Sequence, residues 1–198
     1  MDYRADRMRD LLAETFLDCL SRGDFSKLTV GHIAEAARVN RSTFYRYFED
    51  KYALRDYVVD GVVDDFVSNL EVDFLDLDVG KSRQHAGILQ KSLERTFTHR
   101  RELEILWNQK LLGRNVFEEM IDGGAAKIEA AILAHENIAP SKRQYADWYA
   151  KLLANNMLVT IRWWFSHSDD VTSALVTDMM KQHMMAGTIP TLKGTEQD

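Results

Sequence analysis

Only two prolines interrupt the 198 residues of this chain. Proline breaks a helix interior because it lacks an N–H and its ring clashes with the preceding turn. Where prolines are this scarce, apolar residues at helical spacing can run on unbroken, and here they do. Met8, Leu12, Phe16 and Leu20 recur every four residues, with Leu11 and Cys19 beside them. That spacing predicts a first helix over 3–22, with Cys19 in its core face and Gly23 as its C-terminal cap. Helical patterns return over about 84–99, 101–112 and 114–136, after a break at "DVGKSRQ" near 79–83. A second break, "NIAPSK", carries Pro140 and Ser141, which suit a helix start. The expected fold class is all-α, with no internal repeat. The length allows one sizeable core, or a small domain fused to a larger one.

Near the N-terminus the pattern shortens. Thr29 is placed to cap a short helix whose inner face is Ile33, Ala34 and Ala37. Arg38 and Val39 make a tight connection. Asn40 can cap a second short helix, on which Phe44 and Phe48 face inward, and Val39 can staple its start. Two short helices joined by a tight turn, with alanines where they cross, form a helix-turn-helix. Asp50 can then cap a longer helix from Lys51. Its apolar positions are Leu54, Tyr57, Val58, Gly61, Val62 and Phe66, and acidic residues alternate with apolar ones to about Leu77.

The net charge of −6 argues by itself against nucleic acid, but its distribution does not. From Phe25 to Tyr57 there are six Lys/Arg against four Asp/Glu. From Val58 to Gly80 there are seven Asp/Glu and no Lys/Arg. Screening confines exposed charges to roughly 10 Å, so a locally basic head on an acidic body can still dock on phosphates. With the two phenylalanines inward, the second short helix leaves Arg41, Ser42, Thr43, Tyr45, Arg46 and Tyr47 outside. Arginine can bridge guanine O6 and N7 in the major groove. Threonine can touch a thymine methyl or hold phosphate. The tyrosine hydroxyls, Thr29 and Lys51 can hold the backbone and fix the register. An ordinary solvated helix with half-buried tyrosines has the same composition, so composition alone leaves both readings open.

The order of the residues separates the two. The stretch "LTVGHIAEAARVNRSTFYRYFEDKYAL" resembles the DNA-binding head of the TetR family of transcriptional regulators. That pattern has a capping Thr, an Ile-Ala pair, a Gly-Val turn, a Ser/Thr-Phe/Leu-Tyr-x-His/Tyr-Phe recognition helix and a Lys soon after. It is matched at Thr29, Ile33-Ala34, Val39, Thr43-Phe44-Tyr45, Tyr47-Phe48, Lys51 and Leu54, and the likeness covers about residues 8–56. The resemblance implies that Thr29, Arg41, Ser42, Thr43, Tyr45, Arg46, Tyr47 and Lys51 contact DNA. One departure is Arg38, where the family usually has glycine. Glycine suits a turn that needs positive φ, and arginine there should cost under about 1–2 kcal/mol. Arg38 either reaches phosphate or is a tolerated turn residue, and the second is preferred. Gly31 sits where some relatives carry a base-reading side chain, which would leave specificity to Arg41, Ser42 and Arg46.

The rest of the chain is read as a larger helical body. Residues 142–167 are apolar on nearly every face, with Ala146, Ala150 and Ala154 as a small-residue stripe. Asp170 or Thr172 can cap a last helix carrying Leu175, Val176, Met179, Met180 and Met184. The stretch "NNMLVTIRWWFSHSDDVTSALVTDMM" is similar to the C-terminal part of TetR-like regulators common in Gram-positive bacteria, and that likeness implies a four-helix homodimer interface. The apolar surplus of both helices points the same way, since one small domain cannot bury it. The domains expected are a three-helix DNA-binding head at 1–50 and a regulatory and dimerisation domain at 51–198, whose first helix links the two. Many relatives bind a small molecule in the body, and Trp107, Trp148, Tyr149, Asn155, Asn156, Met157 and Trp164 are candidate lining residues. The expected partners are double-stranded operator DNA, a second copy of the chain and a small-molecule effector. Control by a protein partner without any small molecule is the alternative.

An enzyme is not expected. There is no Gly-rich phosphate loop, Gly-x-Ser-x-Gly elbow or kinase signature, and the six histidines lack metal-ligand spacing, so neither metal nor cofactor is expected. No run of 18 apolar residues predicts a membrane span, and the charged N-terminus does not look like a signal peptide. A lone cysteine permits no intrachain disulfide. The expected location is the cytoplasm.

Overall fold

A computed structural model describes residues 3–72, 82–111, 113–184 and 187. Among them every regular element is helical. The order is α1 (Tyr3–Leu20), a 3-10 turn (Phe25–Lys27), α2 (Val30–Ala36), α3 (Arg41–Tyr47), α4 (Lys51–Asn69), α5 (Ser82–Thr98), α6 (Arg100–Asn108), α7 (Val116–Ala134), α8 (Pro140–Arg143), α9 (Ala146–Phe165) and α10 (Ser173–His183). The all-α expectation holds. The described residues divide into two compact units, one within Met1–Asp65 and Arg101–Val116, the other within Phe66–Arg100 and Phe117–Asp198.

The first unit is built on α1 to α3, which pack against one another. Leu12, Phe16 and Leu20 of α1 are fully buried with Phe25, Ile33, Phe44 and Leu54. Phe16 and Phe25 meet edge to face at 6.0 Å, the arrangement that ring quadrupoles favour. Leu11 is exposed and Met8 and Cys19 are only half-buried, so the α1 stripe is narrower than expected. Residues one position off a helical stripe turn by about 100° toward its flank. Burial nonetheless pushes the Cys19 thiol pKa up, which suits a packing residue. Gly23 does not take positive φ, so it is not the left-handed cap expected of it. The helix ends at Leu20 instead, with the Ser21 N–H on the Leu17 carbonyl at 2.9 Å.

Asp50 caps α4 as expected, its Oδ1 accepting from the Tyr52 and Ala53 amides at 2.8 Å each. The inner face of α4 differs from the expectation. Leu54 and Val58 are buried, but so are Arg55 and Val59, whereas Tyr57 and Gly61 are exposed. Arg55 is only 8% exposed. Its guanidinium lies over the Phe25 and Tyr52 rings at 5.7 and 5.3 Å, and Nη1 donates to the Leu111 carbonyl at 2.8 Å. Its Nε donates to Asp56 at 2.9 Å. Arg114 bridges Asp56 and Asp60 at 3.1 and 2.7 Å. An arginine replaces an apolar residue in this core because ring faces, a carbonyl and a carboxylate together satisfy its planar donors. Helix α4 ends at Asn69, and Glu71 and Val72 lie in no regular element. Residues 73–81 and the tail after Gly187, where an acidic alternation and a frayed end were expected, lie outside the described residues.

In the second unit α5 packs on α10. Ser173 and Gln90 both donate to Glu94 Oε1 at 2.9 Å, and these two bonds, Gln90 first, hold the Glu94 carboxyl below its usual pKa. Thr172, not Asp170, caps α10, its hydroxyl accepting from the Leu175 amide at 3.3 Å. Pro140 starts α8 as expected, but that helix lasts one turn before α9 begins. The Ala146, Ala150 and Ala154 stripe of α9 is buried. At its end Gly124 of α7 lies close enough that a methyl group there would sit 3.7 Å from the Ala154 Cβ. Two small residues thus bring α7 and α9 together. No described helix is long and apolar enough to cross a membrane.

Candidate nucleic-acid interface and effector groove

The short helices α2 and α3 and the turn between them carry the site. Thr29 is the N-cap of α2, and its Oγ1 accepts from the His32 amide at 3.2 Å. Accepting that bond leaves the hydroxyl proton free to donate elsewhere. Asn40 takes the N-cap position of α3, but by its backbone: its carbonyl accepts from Thr43 and Phe44 at 2.9 and 3.2 Å, and its side chain makes no capping bond. Between them Arg38 has φ +56, the left-handed conformation that glycine adopts without strain. The arginine is exposed, so nothing but the turn's need for tight reversal explains the strained backbone.

Helix α3 is anchored by Phe44, which is fully buried, and by Phe48 just past its end; their rings lie 6.0 Å apart. Removing a buried phenylalanine costs about 3–5 kcal/mol, so this pair holds a helix too short to persist alone. Everything on the other side is available. Arg41, Ser42, Tyr45 and Arg46 are exposed, and Thr43 and Tyr47 are half-buried. Tyr45 sets its ring edge-on to Phe44 at 5.8 Å and leaves its hydroxyl in solvent. Tyr47 is covered in part by Arg9 of α1, whose guanidinium lies 6.0 Å above its ring. The structure thus brings Arg41, Ser42, Thr43, Tyr45, Arg46 and Tyr47 onto one short helix, with Thr29 at the start of its partner.

Lys51 is placed differently. Its Nζ donates to the carbonyls of Leu28, Phe25 and Ser26 at 2.7, 2.9 and 3.4 Å. It also lies over the Phe25 and Tyr52 rings at 4.7 and 5.4 Å. Burial pulls its pKa below the ordinary lysine value. An ammonium has three donors, and all three are used inside the head. The lysine thereby fastens α4 to the turn before α2. Sequence reasoning also passed over Arg55. Its only signal was an arginine between Leu54 and Val58 on a helix whose other charged residues, Lys51 apart, are acidic.

Of the candidate effector residues, the second unit gathers only two. A groove of about 250 Å³ between α9 and α10 is lined by Asn156 and Met157 together with Thr160, Met179, His183 and Met184, among others. Asn156 Nδ2 lies 3.2 Å from His183 Nε2. Trp164 is a core residue: its ring lies 4.8 Å from Phe97, and its Nε1 donates to the Val171 carbonyl at 2.8 Å. Tyr149 is buried with its ring against Trp148, which is 59% exposed. Asn155 is exposed, and the half-buried Trp107 belongs to the first unit. The α10 stripe also divides. Val176, Met180 and Met184 are buried, while Leu175 and Met179 face out, as do Trp148, Val159 and Trp163 of α9. Among the described residues no group of three or more His, Cys, Asp or Glu could hold a metal ion.

Residues 16–58 match the family described as bacterial regulatory proteins, tetR family. No curated protein sequence matches the chain. The match begins in α1 and ends in α4, so it takes in the buried phenylalanines, the strained turn and the exposed face of α3. Residues 16–58, carried in a three-helix head with a helix-turn-helix, are thus a tetR-family DNA-binding head, which supports reading the chain as a DNA-binding transcriptional regulator.

Proposed function

We propose that the protein is a ligand-responsive repressor that works in the cytoplasm and binds a near-palindromic operator as a homodimer. The observation that carries the DNA contacts is the outer face of α3. Arg41 and Arg46 are exposed beside Ser42 and Tyr45, on a helix fixed from behind by Phe44. Arg41, Ser42 and Arg46 read base edges in the major groove. Thr29, Thr43, Tyr45 and Tyr47 hold the phosphate backbone. Residues 1–50 form the DNA-binding domain and 51–198 the sensing and dimerisation domain. The exposed Trp148, Val159, Trp163, Leu175 and Met179 support pairing of α9 and α10 with a second copy. A twofold dimer sets two recognition helices about one DNA turn apart, roughly 34–36 Å. The groove between α9 and α10 supports a small apolar effector with one or two polar groups. An effector that binds better when the heads are wrongly spaced weakens operator binding by that difference in affinity.

The groove opens to the surface and is smaller than most enclosed ligand pockets. That favours a second reading, in which a protein partner engages this face and no small molecule takes part. Sequencing DNA fragments selected by the purified protein tests the operator reading. A palindromic consensus is expected, and Arg46→Ala should relax one base position per half-site at a cost of about 1–3 kcal/mol. Tyr45→Ala should weaken binding to all sequences alike. No enrichment over input DNA would sink the proposal.

A further inference from the structure

Gly31 is the second residue of α2, in its first turn, where alanine is also a better helix former. It does not take positive φ, so its backbone needs no glycine. The space beside it explains the residue. A methyl group on residue 31 would lie 2.6 Å from Arg41 Nη2, 3.2 Å from Cζ and 3.3 Å from Nε. Three guanidinium atoms of the first residue of α3 therefore rest on the bare face of α2. Among the described residues no hydrogen bond or ion pair holds that guanidinium. Contact shape alone sets its place, and its donors stay open to solvent.

We propose that Gly31 positions the Arg41 guanidinium and thereby determines base specificity without touching a base itself. The proposal rests on the reading that α3 meets DNA. The contact is with the free end of a flexible side chain, not with backbone. A methyl at position 31 therefore displaces the arginine and leaves the packing of α2 on α3 intact. Arginine reads guanine through a planar, two-point contact, which tolerates little displacement. The missing side chain at 31 and the arginine at 41 act as one unit.

The test compares wild type, Gly31→Ala, Arg41→Ala and the double variant by thermal melting, by DNA selection and by affinity for the wild-type consensus. Gly31→Ala is expected to melt at or above the wild-type temperature. It should bind the consensus about tenfold more weakly, the loss of one good two-point contact, and relax the same base position that Arg41→Ala relaxes. The double variant should bind no worse than Arg41→Ala alone, since coupled residues are not additive. An unchanged consensus and affinity in Gly31→Ala overturns the proposal, as does full additivity in the double variant. A clear drop in melting temperature overturns it too, because the methyl would then be pressing on backbone. If Arg41→Ala leaves the consensus unchanged, Arg41 is not a reader and both ideas fall. If wild type selects no DNA, the operator reading itself fails.

Discussion

Helices α3 and α9 each turn a distinct face toward solvent, and the two faces differ in kind. On α3 the exposed residues are Arg41, Ser42, Tyr45 and Arg46, donors and short polar groups over a buried phenylalanine. On α9 they include Trp148, Val159 and Trp163, large apolar groups over a buried alanine stripe. The first face carries guanidinium donors that meet no acceptor among the described residues, which suits a polyanion with acceptors at its base edges. The second has apolar area without a cover, which suits another apolar surface. The buried halves do similar work in both helices. The exposed halves differ, and on the proposed reading the first serves DNA recognition and the second assembly.

The largest effect should come from placing a charge on the apolar face. Met179 is 44% exposed and Met180 is 5% exposed, so neighbouring methionines make opposite predictions. Met179→Asp buries an unpaired carboxylate twice in a symmetric dimer, at about 3–5 kcal/mol for each. It should give folded monomers that bind operator poorly, because one head alone neutralises half the phosphates. Met180→Asp puts the same charge into the protomer's own core and should unfold the second unit. Sedimentation together with circular dichroism distinguishes the two, and a wild-type protein that is monomeric at micromolar concentration removes the basis of the comparison.

A smaller effect is expected at Lys51. If its donors belong to the carbonyls of Phe25, Ser26 and Leu28, Lys51→Ala should lower stability by about 1–2 kcal/mol, a value reduced by partial exposure. The slope of log affinity against log salt should stay as in wild type. A slope lower by about 1 with unchanged melting would assign the lysine to phosphate instead. The smallest effect concerns the turn. Arg38→Gly should relieve the positive φ, offset in part by the greater freedom of glycine in the unfolded chain. Melting should rise by about 1–3 °C, with the salt slope unchanged. A slope that falls would show that the Arg38 charge reaches DNA.

Much of the head was legible because its signals are local. The spacing of Leu12, Phe16 and Leu20, the capping Thr29 and Asp50, and the pair Phe44 and Phe48 each act within a few residues of themselves. The left-handed backbone at Arg38 was legible only through the family resemblance, in which glycine usually fills that turn position. The buried Arg55 was not. Its partners are Phe25, thirty positions back, and Leu111, fifty-six ahead. Nothing near it in the chain says that an arginine will be enclosed. The internal bonds of Lys51 were hidden in the same way, since its acceptors lie 23 to 26 residues earlier.

The body shows the limit most clearly. An apolar surplus in α9 and α10 could be read from periodicity, because composition around a helix is a local property. Which of its residues form core and which form an outer face could not. Trp164 and Trp148 are the same residue type on one helix, yet one donates to the Val171 carbonyl inside the core and the other stands in solvent. The sequence alone determined the all-helical class, the helix-turn-helix and the identity of the groups that α3 presents. The tertiary structure alone decided that Gly31 beds Arg41, that Lys51 faces inward and that Met179 and Met180 part company. The reason is physical: caps, turns and periodicity act over a few residues, whereas burial depends on which distant helix arrives at each face.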